Sequence, residues 1–282
     1  MFIYTLKRLL LALAVALVVS ALSFGLLYLS GDPATAIGGE AATDTDIEFI
    51  RKTYGFDQPV TVQYLTWMGK AFEEAMAEAR AGRGTAEEKP LVLADFTDNP
   101  GSGGYGDGIR LLRAMIEADL PNAAFACVPH PQAVQKCIAA GVGSGVTMDL
   151  GARIDPRSYG PPLRVSGIVE HVSDGVFTCQ GPMNKGVRFS MGPTAVFRHG
   201  GVRVLITTNN LQVYDLQVFL SQKIDPQTCE VVAVKSWHHF RAAFEPIARK
   251  VMLVDSGGLV SMDLKRFNYR KVRRPIYPLD LD

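Results

Sequence analysis

The stretch Leu91-Val92-Leu93-Ala94-Asp95-Phe96-Thr97-Asp98-Asn99-Pro100-Gly101-Ser102-Gly103-Gly104-Tyr105-Gly106-Asp107 decides the fold class. Its first six residues are an apolar run of strand length, and the rest is a glycine-rich loop that opens onto a helical pattern from about Asp107 to Ala118. Strand, loop and helix in that order are the start of an α/β unit. Downstream, the patterns predict a strand around Ala123 to Val128, a helix from Pro131 to Ala140 and a strand near Gly145 to Leu150, which completes a βαβαβ opening. From Leu163 to Phe219 the apolar period falls to two, as in Val165, Gly167, Val169 and in Val202, Val204, Ile206. Turns at Ser173-Asp174-Gly175 and His199-Gly200-Gly201 make this an antiparallel, β-rich section. A strand at Val231 to Val234, a helix from about Trp237 to Arg249 and a strand at Val251 to Val254 close a mixed sheet.

Composition sets the outer bounds. The chain has 282 residues, 48% hydrophobic and 20% charged, with 29 basic against 28 acidic side chains. A net charge of +1 excludes binding to polyanions by bulk electrostatics. Nucleic acid is therefore not expected as a partner, although the tail from Lys265 to Arg274 is locally basic. Four cysteines without C-x-x-C spacing fit neither a disulfide scaffold nor a thiolate zinc site.

Upstream of the glycine loop the texture changes. Residues 73–89 are rich in Ala, Glu, Arg and Gly and read as a frayed helix running into a solvated linker, which places a domain boundary at about 89/90. Leu9 to Leu29 is a charge-free run of about 21 residues, long enough to span a bilayer as one N-terminal transmembrane helix. Lys7 and Arg8 before it and Asp32 after it put the N-terminus in the cytoplasm and the remainder outside. The competing reading is a secretory signal peptide cut near Ala34-Thr35-Ala36. Between about Asp44 and Met76 two short helices are predicted, broken at Gly55-Phe56-Asp57-Gln58-Pro59. Leu10, Leu11, Gly31-Asp32-Pro33-Ala34, Tyr54-Gly55-Phe56-Asp57-Gln58-Pro59-Val60 and Gln63-Tyr64-Leu65 with Trp67 resemble the start of dipeptide and oligopeptide ABC transporter permeases. The resemblance covers about residues 1–75. It implies an anchor at residues 1–30 and a permease-like helical segment and linker at 31–89. No second apolar run of about 18 residues follows, so transport by this chain alone is not expected.

Two constellations carry chemistry. Gly101, Gly103, Gly104 and Gly106 between a strand and a helix allow backbone amides to approach an anion or a substrate carboxylate, with Asp98, Asn99 and Asp107 beside them. The loop matches G-x-G-x-x-G, but the acidic residue that dinucleotide binding needs about 20 positions on is replaced by Phe125-Ala126-Cys127-Val128. Asp95, Asp98 and Asp107 either face a metal site or serve as cap and turn residues. The second constellation is Lys235-Ser236-Trp237-His238-His239-Phe240-Arg241. Here Ser236 is expected to cap a helix whose N-terminus keeps His238 and His239 neutral. Adjacent side chains point about 100° apart on a helix, so the pair is not a bidentate metal ligand. His238 and His239 remain the catalytic candidates, for polarising a carbonyl.

The stretches Asp95 to Gly101, Gly160-Pro161-Pro162-Leu163, Ser190-Met191-Gly192-Pro193-Thr194-Ala195, Gln212-Val213, Asp215-Leu216-Gln217-Val218-Phe219, Ile224-Asp225-Pro226, Lys235-Ser236, His238 to Arg241 and Arg273-Arg274-Pro275-Ile276-Tyr277-Pro278 resemble the C-terminal domain of the microcystinase C family of zinc metallopeptidases. The resemblance covers about residues 90–282. It implies a peptide-hydrolysis context, a short peptide as substrate or ligand, and zinc as the cofactor. In that family the zinc ligands lie chiefly in an N-terminal domain. Nothing between Gly31 and Lys89 matches it, the first histidine being His130, so no metal ligands are assigned to this chain. The resemblance thus implies a half-enzyme needing a zinc-domain partner or forming a homodimer, tethered to a bacterial-type inner membrane with its domain outside the cytoplasm. The other reading is an accessory, non-enzymatic peptide-binding component of a peptide ABC transport system.

Overall fold

The computed structural model describes residues 72–81, 89–261, 264, 267–276 and 279–280. The transmembrane helix, the cleavage site and the permease-like helices expected before residue 72 lie outside the described residues. Among those described, no helix is long and apolar enough to cross a membrane. The described residues up to 261 lie in one compact unit, and the described residues from 264 onward belong to a second.

In the larger unit, α1 (residues 72–81) leads to β1 (Leu91–Asp95), α2 (Arg110–Glu117), β2 (Ala123–Pro129), α3 (Pro131–Ala140) and β3 (Gly145–Leu150). Next come α4 (Pro156–Tyr159), β4 (Leu163–Ser173), β5 (Val176–Thr178), β6 (Arg188–Ser190), β7 (Thr194–His199) and β8 (Val202–Thr207). The unit closes with α5 (Gln217–Leu220), β9 (Val231–Val234), α6 (Arg241–Phe244) and β10 (Lys250–Val254). Eight strands form one sheet in the order β10-β1-β9-β2-β8-β7-β4-β3, and β5 pairs with β6 in a separate hairpin. The strands from β10 to β8 run parallel, while β7, β4 and β3 add antiparallel partners.

The mixed α/β class matches the expectation, as do the strands and helices expected between Leu91 and Val234 and the last strand at Val251 to Val254. The pairing does not follow the chain. β1 and β2 are separated by β9, and β3 pairs antiparallel with β4 at the far edge. The reason lies in side-chain character. Leu91-Val92-Leu93-Ala94 and Val231-Val232-Ala233-Val234 are apolar on both faces, which suits the centre of a sheet covered on both sides. Leu91 and Leu93 enter a core with α1, α2 and α3, whereas Val92 and Ala94 enter a second core with the hairpin, α5 and α6. β3 alternates exposed and buried residues, so one of its faces is open to water, unlike the strands at the centre.

Residues 72–81 do not fray into solvent. Ala75, Met76 and Ala79 are buried against the first core, and Glu78 pairs with Arg249 (2.8 Å) and Lys250 (2.9 Å) on the entry to β10. Both cations hold the Glu78 carboxyl below its ordinary range, Lys250 first. The other unit contributes the pair Arg274 with Asp280, and residues 267–276 carry no strand.

The β3 edge is guarded. Antiparallel pairing turns alternate peptide groups inward and outward. The Ser144 carbonyl accepts from Val169 N–H (3.0 Å), so Gly145, Thr147 and Asp149 present their peptide groups to solvent. Lys136 on α3 reaches over to donate to the Thr147 carbonyl at 2.7 Å, placing a charge where another strand would dock. Lys136→Ala should leave the unfolding free energy within about 0.5 kcal/mol and raise concentration-dependent self-association. Sedimentation equilibrium of the full chain reads this, and an unchanged mass at every concentration would refute the guarding role.

Candidate functional site at the carboxyl ends of the parallel strands

The five parallel strands all end at one edge of the sheet, where open α/β sheets form their crevices. β1 delivers Asp95 and the glycine loop, β9 delivers Lys235 and Ser236, β2 delivers His130, and β10 leads to Ser256.

Beneath the surface lies a buried ion pair. Lys235 Nζ stands 2.9 Å from Asp98 Oδ2, with side-chain exposures of 1% and 0%. The ammonium also donates to the carbonyls of Gly108 (2.7 Å) and Gly106, and lies 5.4 Å from the Phe125 ring centroid. Asp98 in turn accepts from Gly106 N–H (2.9 Å) at Oδ1 and Gly108 N–H (2.7 Å) at Oδ2. Burial, followed by the nearby Asp98 carboxylate, pushes the Tyr159 phenol well above its usual range.

The other acidic residues are engaged as well, Asp107 through Oδ2 alone, its buried Oδ1 having no hydrogen-bond partner among the described residues. Asp95 accepts from Ser256 Oγ (2.7 Å), Thr97 Oγ1 (3.0 Å) and Thr97 N–H (3.2 Å). Burial first, and then the negative charge of Asp98, push its carboxyl up to about 6. Asp107 Oδ2 accepts from the N–H groups of Arg153 (2.8 Å) and Ile154 (3.0 Å), tying the loop to the segment after β3. Asn99 accepts from Gly101 N–H (3.0 Å) and caps the short 3-10 turn Pro100–Ser102. The N–H groups of Ser102, Gly103 and Gly104 bond to carbonyls of Asn99 and Pro100. The amides of residues 101–104 thus close the loop on itself instead of pointing at a ligand.

What the crevice presents outward is a rim of uncharged side chains. Gln212 Nε2 donates to Ser236 Oγ (3.2 Å) and lies 3.1 Å from His239 Nδ1. Its carboxamide rests directly on Gly101, where an added Cβ would come within 2.1 Å of Oε1, so any larger residue there would have to displace the Gln212 side chain. Asn210 donates to the Tyr105 carbonyl at 3.0 Å. Trp237 lies between Phe96 and His238, 5.4 Å from each ring centroid, and the two rings Trp237 and His238 stack at 21°. His238 and His239 are both exposed. Burial, followed by the charge of Arg241, lowers the His238 imidazole pKa.

The helix expected from Trp237 to Arg249 starts only at Arg241 and continues as a 3-10 turn over Glu245–Ile247. Residues 235–240 are bends and turn, α6 has four residues with Phe240 as its cap, and Ser236 caps nothing. Phe240 and Phe244 are both buried in the second core, and the aromatic stack holds residues 237 and 238 at the rim. Helix-dipole control of the two histidines is therefore replaced by stacking and by Gln212. Asp98, Asn99, Gly101, Gly103, Gly104 and Asp107 do gather at this edge, together with His238 and His239. Sequence reading missed Lys235, Gln212 and Ser256 as their partners. The one available signal was a lone charge directly after the apolar strand Val231 to Val234.

Zinc does not fit these residues. Among the described residues no group of three or more His, Cys, Asp or Glu converges in a way that could hold a metal ion. Asp95 and Asp98 are occupied by Ser256, Thr97 and Lys235, and His239 Nδ1 by Gln212. Cys127, Cys137, Cys179 and Cys229 are free thiols, all buried, and burial pushes Cys127 up to about 12 and the others up to about 11.

Comparison with known proteins adds the lineage. The chain is 27% identical over 241 residues to "Microcystinase C" of Sphingomonas sp., covering 79% of this chain and 45% of that protein. It spans about half the length of the relative it matches. The crystal structure of a "Putative metallopeptidase" from Mesorhizobium sp. BNC1 superposes with a TM-score of 0.66 at 24% identity, over 87% of this chain and 47% of the other. That likeness shows the fold. A 68-residue stretch is 43% identical to a "Putative peptide transport system permease protein" of Brucella abortus (strain 2308), covering 24% of this chain and 22% of that one. Residues 1–88 match the N-terminal segment of membrane components of binding-protein-dependent transport systems. Residues 93–271 match the MlrC C-terminus, and by that match the chain belongs to the MlrC C-terminus family.

Proposed function

We propose that this chain is a membrane-anchored, peptide-binding module of a metallopeptidase system, whose zinc-bearing half is contributed from outside these 282 residues. The observation that carries the reading is the rim. Gly101, Gln212, Ser236 and His239 meet there, in hydrogen-bond contact or direct packing, although they come from three separate stretches of the sequence. Uncharged donors and acceptors beside an aromatic shelf suit a peptide backbone and its side chains. The family match supports a peptide-hydrolysis context and the permease-like segment supports a membrane association, while Lys7 and Arg8 before the apolar run are the reason for reading an inner-membrane anchor with the domain outside the cytoplasm. Four buried thiols are compatible with an oxidising compartment. A zinc-domain chain, or a second copy, is the expected partner.

Calorimetry with a linear peptide, elemental analysis and a hydrolysis assay on the full chain test this together. The expected result is peptide binding without turnover and with zinc well below one equivalent. Stoichiometric zinc accompanied by turnover would overturn the half-enzyme reading. A second reading is an accessory component of a peptide ABC transporter, favoured by the match over residues 1–88. Co-purification with transporter subunits, and none with a zinc-domain protein, would select it.

A further inference from the structure

We propose that Gln212 is a positioning residue that fixes His239 as the tautomer with its proton on Nε2, so that the rim offers a hydrogen-bond donor to a neutral carbonyl oxygen of a bound peptide. The inference rests on the peptide-binding reading for its ligand, but not for the tautomer. Gln212 Nε2 has two hydrogens and two neighbours at bonding distance, Ser236 Oγ at 3.2 Å and His239 Nδ1 at 3.1 Å. Oε1 is also within bonding distance of Nδ1, at 3.3 Å, but Nε2 is the nearer atom and the one that faces Ser236. With the amide donating both ways, Nδ1 is an acceptor and the ring proton sits on Nε2. His239 is exposed, and its second nitrogen is the one left for a ligand.

Two further features hold the amide in place. Gly101 provides the bare surface under the carboxamide, and Ser236 is fully buried, so its hydroxyl is a fixed anchor. Charge selects the kind of oxygen. Lys235 and Asp98 offset one another beneath the rim, Arg241 beside His238 is paired with Glu245, and Gln212, Ser236, Asn210 and Trp237 carry no charge. Such a site favours a peptide carbonyl over a carboxylate.

The test is nitrogen-15 NMR of the imidazole rings in the full chain, with Gln212→Glu, Gln212→Leu and Gly101→Ala as variants. The wild type is expected to show His239 with a bare Nδ1 and a protonated Nε2. In Gln212→Glu the carboxylate can only accept, so the proton should move to Nδ1. Gln212→Leu should give a mixture of tautomers, and Gly101→Ala, which displaces the amide by its Cβ, should do the same without touching Gln212. Unchanged amide signals for β1 and β9 report an intact fold. A wild-type proton on Nδ1, or the same tautomer in all four proteins, would overturn the proposal. In the ligand arm, acetylated and amidated trialanine should bind as well as the free acid, and about tenfold more weakly to Gln212→Glu. A preference for the free acid would overturn the carbonyl assignment. Failure of either peptide to bind the wild type, with the expected tautomer in place, would overturn the peptide-binding reading and leave the positioning role of Gln212 standing.

Discussion

Lys235→Met should lower the free energy of unfolding by about 3–5 kcal/mol, because it strands the Asp98 carboxylate in a dry interior. The side chain is 1% exposed, and it also supplies the donors for the carbonyls of Gly106 and Gly108. Three acceptors lose a partner at once. Methionine keeps the length and the apolar stem, so the loss reports charge and hydrogen bonding more than volume. The companion variants are Asp98→Asn and the double substitution. The pair is in direct contact at 2.9 Å, so the cycle should be non-additive by more than about 1 kcal/mol. Urea unfolding of the full chain at neutral pH measures all three. A loss under about 1 kcal/mol for Lys235→Met would mean that water reaches Asp98 and that the pair does not organise the loop.

Two buried groups with opposing pH responses give the second large effect. Asp95 is raised from 3.8 to about 6, so the folded protein binds this proton more tightly than the unfolded chain. Its contribution is fully present below pH 3.8 and is lost as pH rises through 6, a swing of about 3 kcal/mol. His130, buried between the ends of β2 and α3, is lowered from 6.5 to about 4 by burial first and then by Arg153, against the carboxylates of Asp107 and Asp149. Here the unfolded chain binds the proton more tightly, so stability is lost as pH falls from 6.5 towards 4, by about 2 kcal/mol after allowance for screening by solvent. The two slopes nearly cancel in the wild type between pH 4 and 6. Asp95→Asn should uncover the histidine response and lose stability on acidification relative to the wild type. His130→Gln should do the reverse. Unfolding midpoints at pH 4, 5 and 7 decide it, and variant curves parallel to the wild type would show that neither group titrates in that window.

How far the sequence carried is visible in particular residues. β9, α3 and β3 appear where periodicity put them, because Val231 to Val234 is apolar on both faces and Gly145 to Leu150 alternates. The glycine loop was legible as a special segment at the strand ends, since four glycines between a strand and a helix mark a backbone that turns tightly or is approached closely. The sheet order was not legible, because local pattern says which strands are buried on both faces but not which neighbour each takes. The helix start assigned to Trp237 failed for a similar reason. Local propensity was outweighed by Phe240 and Phe244, which go into the core, and by the stack of Trp237 on Phe96. The partners of the site are distant in sequence, with Lys235 and Gly106 separated by 129 positions. No short-range signal encodes such a contact.

The loop from Gly101 to Gly108 looks like a hinge when read as letters, yet Asp98, Asn99 and Lys235 staple it from inside. A protease offered this glycine-rich stretch should find no slack to thread through its cleft. An incoming peptide would likewise meet a surface already in its final shape, and would be chosen by fit to a rigid mould rather than by mutual adjustment.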